Sequence, residues 1–285
     1  MNKVALTEQL KRFLNEDIGY LDVTSSAIFT ESDEGTGEFV AKADGILAGA
    51  EIIQLGYHLL DPDIKVELPA QDGDHVSAQQ VIAKVSGKVI PLLSGERVIL
   101  NLVQRLSGIA TTTTQIIELL ADPTIRICDT RKTTPGLRML EKYAVRTGGG
   151  YNHRYGLDDA VLIKDNHIAH AGSITAAVER VRAKYGHMLK IEVETENLEQ
   201  VREAINVRVD VIMLDNCSPE EAKIYTALIP PEIITELSGG INTGNIADYR
   251  GCGVNYISLG MLTHSVKALD ISFNLAGGNK YGTTN

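Results

Sequence analysis

Six short apolar runs in the second half of the chain, each ending in a charged, hydroxyl or glycine residue, limit the possible folds more than any other feature. They are Ile125–Asp129, Ala160–Lys164, Leu189–Glu194, Val211–Asp215, Ile233–Ser238 and Val254–Gly260, with helical segments between them. Strand alternating with helix calls for right-handed parallel βαβ units. The last four runs lie roughly one helix apart, which suits a barrel or a doubly wound sheet. Six strands are fewer than the eight of a closed α/β barrel, so an open or irregular version is expected.

Chemistry concentrates where these runs end. Cys128 leads into Asp129-Thr130-Arg131-Lys132, Ile163 into Lys164-Asp165-Asn166-His167, Val193 into Glu194, Leu214 into Asp215-Asn216, Ile233-Ile234 into Glu236 and Ser238-Gly239-Gly240, and Leu259 into Gly260. In parallel α/β folds the carboxyl ends of strands converge on one mouth, so these groups should meet around one pocket. Between Arg131 and Lys164 stand seven Lys/Arg against three acids, an island of +4 in a chain of formal charge −10. An acidic chain should repel nucleic acid and anionic membranes, and a local basic island in it suits a small multiply charged anion. Arg131, Arg154 and Arg105 offer the fork that grips carboxylate or phosphate. Arg138, Lys142 and Arg146 equally suit a solvated helix face. Glu194 and Asp215 suit Mg2+ or ribose hydroxyls, and the glycine-rich ends of the last two strands suit a phosphate. The combination describes phosphoribosyl transfer to an acid.

The first half reads differently. Gly37–Lys42 and Ile64–Leu68 alternate in polarity and are punctuated by Asp44-Gly45 and Asp72-Gly73-Asp74, the pattern of antiparallel strands and tight turns. Ser94–Leu120 carries Val98, Leu102, Val103, Leu106 and Ile109 at helical spacing, with Ser94 as expected N-cap. Further helix starts are legible at Ser173 and at Ser218-Pro219-Glu220. Met1–Tyr20 lacks the apolar core of a signal peptide, and no stretch approaches a membrane span. Cys128, Cys217 and Cys252, odd in number and far apart, read as small thiols in a reducing cytosol.

The run Asp129-Thr130-Arg131-Lys132-Thr133-Thr134-Pro135-Gly136-Leu137-Arg138, with Leu140–Val145, Gly148-Gly149-Gly150, Asn152-His153-Arg154 and Leu162–His167, resembles the signature of the quinolinate phosphoribosyltransferases. The likeness extends to Glu16–Gly19, Gly45–Gly49, Gln104–Thr111, Leu214–Asn216, Ser238–Gly240 and Leu262–Ser265, nearly the whole chain. Leu237 departs mildly, standing where many relatives carry a small residue.

The resemblance implies an α/β chain in which an N-terminal α+β sandwich domain, residues 1–112 rejoined by 268–285, accompanies an incomplete, open α/β barrel of six to seven parallel strands at 113–267. It implies phosphoribosyl transfer from phosphoribosyl pyrophosphate (PRPP) to quinolinate with decarboxylation, in NAD biosynthesis in the cytoplasm. Quinolinate is expected at Arg105, Arg131, Lys132, His153, Arg154 and Lys164, and PRPP at Glu194, Asp215, Ser238, Gly239, Gly240, Gly260 and His264. Mg2+ is expected at Glu194 and Asp215, largely through PRPP and water. Lys132, Lys164, Glu194 and Asp215 are expected to act in catalysis. A homodimer is implied, each subunit lending Arg105 to its neighbour's site. Two other readings share the residues: a molybdenum-transport-associated pyrophosphorylase-like paralogue, and a barrel aldolase with a Schiff base on Lys164. The last residues, Gly277–Asn285, read as a frayed tail.

Overall fold

The computed structural model describes residues 1–276, so the expectation for Gly277–Asn285 lies outside the described residues. The chain divides into two compact units. The first comprises Met1–Thr112, Met139–Gly148 and the chain from Val266 onward; the second comprises Thr113–Arg138 and Gly149–Ser265.

The first unit holds α1 (Lys3–Ile18), α2 (Val23–Ile28), β1 (Glu34–Ala41), β2 (Gly45–Ile46), α3 (Ala50–Leu60), β3 (Lys65–Glu67), β4 (His75–Val76) and β5 (Val81–Lys88). The long helix α4 (Val89–Leu120) follows and contributes its last residues to the second unit. β1 is the centre of an antiparallel sheet, because the returning C-terminal strand Ile271–Ala276 pairs along its free edge; the strand order runs from that strand through β1 and β5 to β3. Asp72-Gly73-Asp74 does form a turn: Asp74 N–H donates to Gln71 O at 3.1 Å, with Gly73 at φ +94°, a backbone that glycine adopts without strain. The helical stripe Val98, Leu102, Val103, Leu106 and Ile109 is buried, each side chain contributing about 1.5–3 kcal/mol by leaving water.

Ser94 is not the N-cap. α4 begins at Val89, with Pro91 in its first turn where a missing N–H costs little. The Ser94 hydroxyl instead donates to Asp22 Oδ2 at 2.9 Å.

The expected boundaries also shift. The returning segment starts at Val266, and α5 (Arg138–Thr147) falls almost wholly in the first unit. Its Glu141 and Lys142 are fully buried, so Lys142 is no part of a solvated face. Glu141 takes the Arg105 guanidinium, and Tyr143 donates to Asp72 Oδ2 at 2.6 Å, bonds that bind α5 to α4 and to the turn at Asp72.

The second unit is a parallel sheet of six strands: β6 (Arg126–Cys128), β7 (Val161–Ile163), β8 (Ile191–Thr195), β9 (Val211–Asp215), β10 (Ile234–Ser238) and β11 (Tyr256–Ser258). Their order is β6-β11-β10-β9-β8-β7, which is a barrel opened between its first two strands. Among the described residues, the free edge of β6 is met by Tyr151, which bridges in parallel to Cys128. Helices α6 (Asp165–Ala171) and α7 (Ile174–Lys184) join β7 to β8, α8 (Leu198–Asn206) joins β8 to β9, and α9 (Pro219–Thr226) joins β9 to β10. Ser173 and Ser218 cap α7 and α9 as their sequences predict, and Ser218 completes a capping box with Glu221. A short α10 (Met261–His264) follows β11, and the returning strand is β12 (Ile271–Ala276).

Candidate active site

Strand side chains alternate between faces with a period of two. On β8 to β10 the apolar residues Ile191, Val193, Ile212, Leu214 and Leu237 share one parity and are buried. The opposite parity is largely polar: Leu162 and Lys164, Glu192 and Glu194, Met213 and Asp215, Glu236 and Ser238, Tyr256 and Ser258. That face encloses a cavity of about 570 Å³ at the strands' carboxyl ends. Its lining includes Arg131, Lys132, His153, Arg154 and Lys164 among the expected acid-binding residues, and Glu194, Asp215, Ser238, Gly239 and Gly240 among the expected PRPP-binding ones. Leu237 has the core parity and is fully buried, so its size is absorbed away from the cavity.

Three expected residues lie elsewhere. Arg105 is on α4 in the first unit, donating from Nε and Nη2 to Glu141 Oε1 at 2.9 and 2.7 Å. Gly260 opens α10 and does not line the cavity; a Cβ there would fall 2.8 Å from Lys132 Cδ and 3.1 Å from His264 Cδ2. Its bareness therefore permits Lys132 to pack against the end of β11. His264 is exposed, with Nδ1 2.6 Å from Ser265 Oγ. On the same short helix Thr263 donates to Lys132 O at 2.8 Å and fixes that loop.

The basic island splits by role. Arg138 donates to Thr133 Oγ1 at 3.0 Å and to Tyr155 O at 2.8 Å, tying down the loops on either side. Arg131, Lys132, Arg154 and Lys164 face the cavity. Arg131 Nε and Arg154 Nε are buried without a hydrogen-bond partner among the described residues, as donors reserved for an anion would be. Burial first, and then Arg131 beside it, lower the Arg154 pKa from its ordinary value. Lys164 Nζ pairs with Glu194 Oε1. Asp215 Oδ2 accepts from Asn216 Nδ2 at 2.7 Å.

Several contributors were given no role by the strand-end reading, whether named there or not. Thr130, Leu162, Met213, Asn216 and Ser258 also line the cavity. Asp129 is fully buried and accepts from Asn152 Nδ2 at 2.6 Å and from His153 N–H at 2.8 Å, so it anchors the Asn152-His153-Arg154 segment to the end of β6. Glu192 and Glu236, each two residues before a strand-end group, sit beneath the mouth with His153 between them, ligand atoms within 4.8 Å of one another. Glu236 stands among the strand-end groups of the sequence, and parity alone would have found Glu192. Cys217 is a buried thiol pushed up to about 11 by burial and then by Glu221 and Asp215, which leaves it unreactive.

A mouth with four cations, two strand-end carboxylates and a glycine turn can hold a multiply charged acid beside a phosphorylated sugar. Comparison with known proteins points the same way. Residues 22–107 match the model of the quinolinate phosphoribosyl transferase N-terminal domain, and residues 109–274 match that of its C-terminal domain. A probable carboxylating nicotinate-nucleotide pyrophosphorylase of Bacillus subtilis is 55% identical over 280 residues, covering 98% of this chain and 96% of that protein. Another from Synechocystis is 45% identical, covering 93% and 91%. The crystal structure of NadC from Streptococcus pyogenes superposes with a TM-score of 0.94 at 41% identity, covering 97% of this chain and 98% of that one. On both halves of its length, the chain belongs to the quinolinate phosphoribosyl transferase family.

Proposed function

We propose that the chain transfers the phosphoribosyl group of PRPP to quinolinate, releasing pyrophosphate and carbon dioxide and forming nicotinate mononucleotide in NAD biosynthesis. The observation that carries this reading is the single cavity in which Arg131, Lys132, Arg154 and Lys164 face Glu194, Asp215 and the Ser238-Gly239-Gly240 turn. Quinolinate carries two carboxylates, and the guanidinium forks of Arg131 and Arg154 with the Lys132 and Lys164 ammonium groups match them in sign and number. His153 lies beside these groups.

The pyridine nitrogen attacks the anomeric carbon as pyrophosphate leaves, and a C–N bond replaces the C–O bond. The cations hold the ring in line for that attack, and Glu194 and Asp215 orient the ribose. The nitrogen, now quaternary, draws electrons from the neighbouring carboxylate. Carbon dioxide departs, the electron pair stays on the ring carbon, and a proton from solvent completes the product. Lys132 and Lys164 stabilise the transient negative charge at that carbon.

Glu194 and Asp215 present carboxylate oxygens at the ends of adjacent strands, a donor set suited to Mg2+. Held there largely through PRPP and water, the ion would offset pyrophosphate charge. Gly260 packs closely against Lys132 and His264, and we assign Gly260 and His264 to the phosphate end. We place the enzyme in the cytoplasm as a homodimer, with Arg105 lent across the interface. Three buried free thiols fit a reducing compartment, and among the described residues no helix is long and apolar enough to cross a membrane.

The test follows nicotinate mononucleotide and carbon dioxide from quinolinate, PRPP and Mg2+, with nicotinate in parallel and Lys132→Ala as control. Turnover of quinolinate alone, lost in the variant, is expected. No product from quinolinate at any Mg2+ concentration sinks the reading.

A further inference from the structure

Beneath the mouth, His153 has both ring nitrogens engaged by the protein. Nδ1 lies 2.8 Å from the Arg154 backbone N–H, a group that only donates, so Nδ1 is an unprotonated acceptor. Nε2 lies 3.0 Å from Glu192 Oε2 and 3.5 Å from Glu236 Oε1, and both of those groups are acceptors when ionised. The hydrogen therefore sits on Nε2 and points down at the acids, away from the cavity. A histidine so arranged is a neutral imidazole with no N–H to offer a substrate carboxylate.

The surroundings make this arrangement hard to escape. Glu192 and Glu236 are 6% and 5% exposed, and each has one carboxylate oxygen buried without a hydrogen-bond partner. Two unmatched buried acids are costly, and they are kept where four cations stand above them. Asp129 fixes the His153 backbone from the other side, and Ala160 O accepts Arg154 Nη1 at 2.9 Å. Arg154 is thus set from three directions: through its backbone N–H by His153, through Nη1 by Ala160, and through its neighbour's N–H by Asp129.

We propose that Glu192 and Glu236 are positioning residues for the acid substrate: they fix His153 as an Nε2–H imidazole, and His153 in turn holds Arg154 with its guanidinium presented to the substrate carboxylate. This rests on the phosphoribosyl transfer reading above and assigns His153 a different task from gripping the acid directly.

Two measurements test it. In uniformly 15N-histidine-labelled protein, the His153 resonance, assigned by its loss in His153→Gln, is expected to be that of a neutral ring protonated at Nε2. An imidazolium or an Nδ1–H tautomer overturns the proposal, and this readout needs no turnover. In steady-state kinetics Glu192→Leu, which removes the acceptor, is expected to raise the quinolinate KM roughly 10- to 100-fold, as loss of an orienting partner commonly does. The PRPP KM should stay within about threefold, and Glu192→Gln, which keeps an acceptor, should recover most of the loss. Equal damage to both KM values, or no recovery in Glu192→Gln, overturns it. If Glu192→Leu fails to fold, Glu192→Gln and the resonance still decide. Stoichiometric binding of Zn2+ or Mn2+ that Glu192→Gln abolishes would make the three residues a metal site and likewise overturn it. A wild-type protein inactive on quinolinate but carrying the Nε2–H tautomer would sink the functional reading alone.

Discussion

Gly239 stands so close to Asn216 that a Cβ on it would fall 2.2 Å from Asn216 Oδ1 and 2.9 Å from Asn216 N. Asn216 is itself in the left-handed region at φ +54°, donates its N–H to Ser238 O at 2.8 Å, and holds Asp215 through its side chain. The carboxylate end of β9 and the glycine end of β10 are thereby one structure, so the groups proposed above for the ribose and phosphate parts of PRPP form a linked surface.

Gly239→Ala should therefore weaken PRPP far more than quinolinate. The residue has φ +93°, and the colliding atoms include backbone that cannot yield. Strain of about 1–3 kcal/mol adds to displacement of Asn216. Gly240→Ala is the contrast: its φ is +69°, yet nothing lies within 4 Å of its Cβ. The PRPP KM is expected to rise roughly 10- to 100-fold in Gly239→Ala and several-fold less in Gly240→Ala. An unchanged PRPP KM in Gly239→Ala would remove this turn from the phosphate site.

Arg105 raises a separate expectation, because within its own chain it neutralises Glu141, which is fully buried. Arg105→Ala removes a cation from that buried carboxylate and should cost on the order of 3 kcal/mol of stability, seen as a lower unfolding midpoint. Lost activity in that variant alone therefore does not establish lending between subunits. Mixing does: Arg105→Ala combined with Glu194→Gln, each inactive alone, regains roughly a quarter of wild-type activity if random pairing builds one intact site per hybrid dimer. No recovery after subunit exchange, with hybrids demonstrated by mass spectrometry, would mean that Arg105 serves only its own chain.

Much of the barrel was readable because its strands are short, apolar and cut off by polar groups. Five of the six expected runs enclose an observed strand, the sixth, Leu189–Glu194, stops one residue short of the end of β8 at Thr195, and Ser173 and Ser218 cap their helices. What escaped depended on side-chain direction or on distant partners. Glu192 was hidden inside a run defined by its last residue, although its parity with Glu194 puts both on the same face. Ser94 has the composition of a cap, but a hydroxyl also bonds a carboxylate 72 positions away, and local sequence cannot distinguish the two. The burial of Lys142 was not legible because helical spacing says nothing about which of two faces is covered. The opening between β6 and β7 coincides with α5, the helix of that crossover, being packed into the first unit.

Glu236 gives a pH dependence that isolates the buried acids from turnover. Burial, followed by the charge of Glu192, lifts its carboxyl from the ordinary 4.5 to about 7, with the His153 Nε2–H opposing. Between those values the folded chain keeps a proton that the unfolded chain has released, so stability falls as pH rises through that window. Below it both states are protonated and nothing is lost; above it the whole penalty is present. Glu236→Gln is the same size, neutral at every pH and still an acceptor. Its unfolding midpoint should match wild type near about pH 4.5 and exceed it near about pH 8, by the equivalent of on the order of 2 kcal/mol. Thermal unfolding at several pH values checks this, and a difference that stays constant with pH would mean that Glu236 is ionised throughout. Because the measurement needs neither substrate, it tests the electrostatics under the mouth whatever the mouth binds.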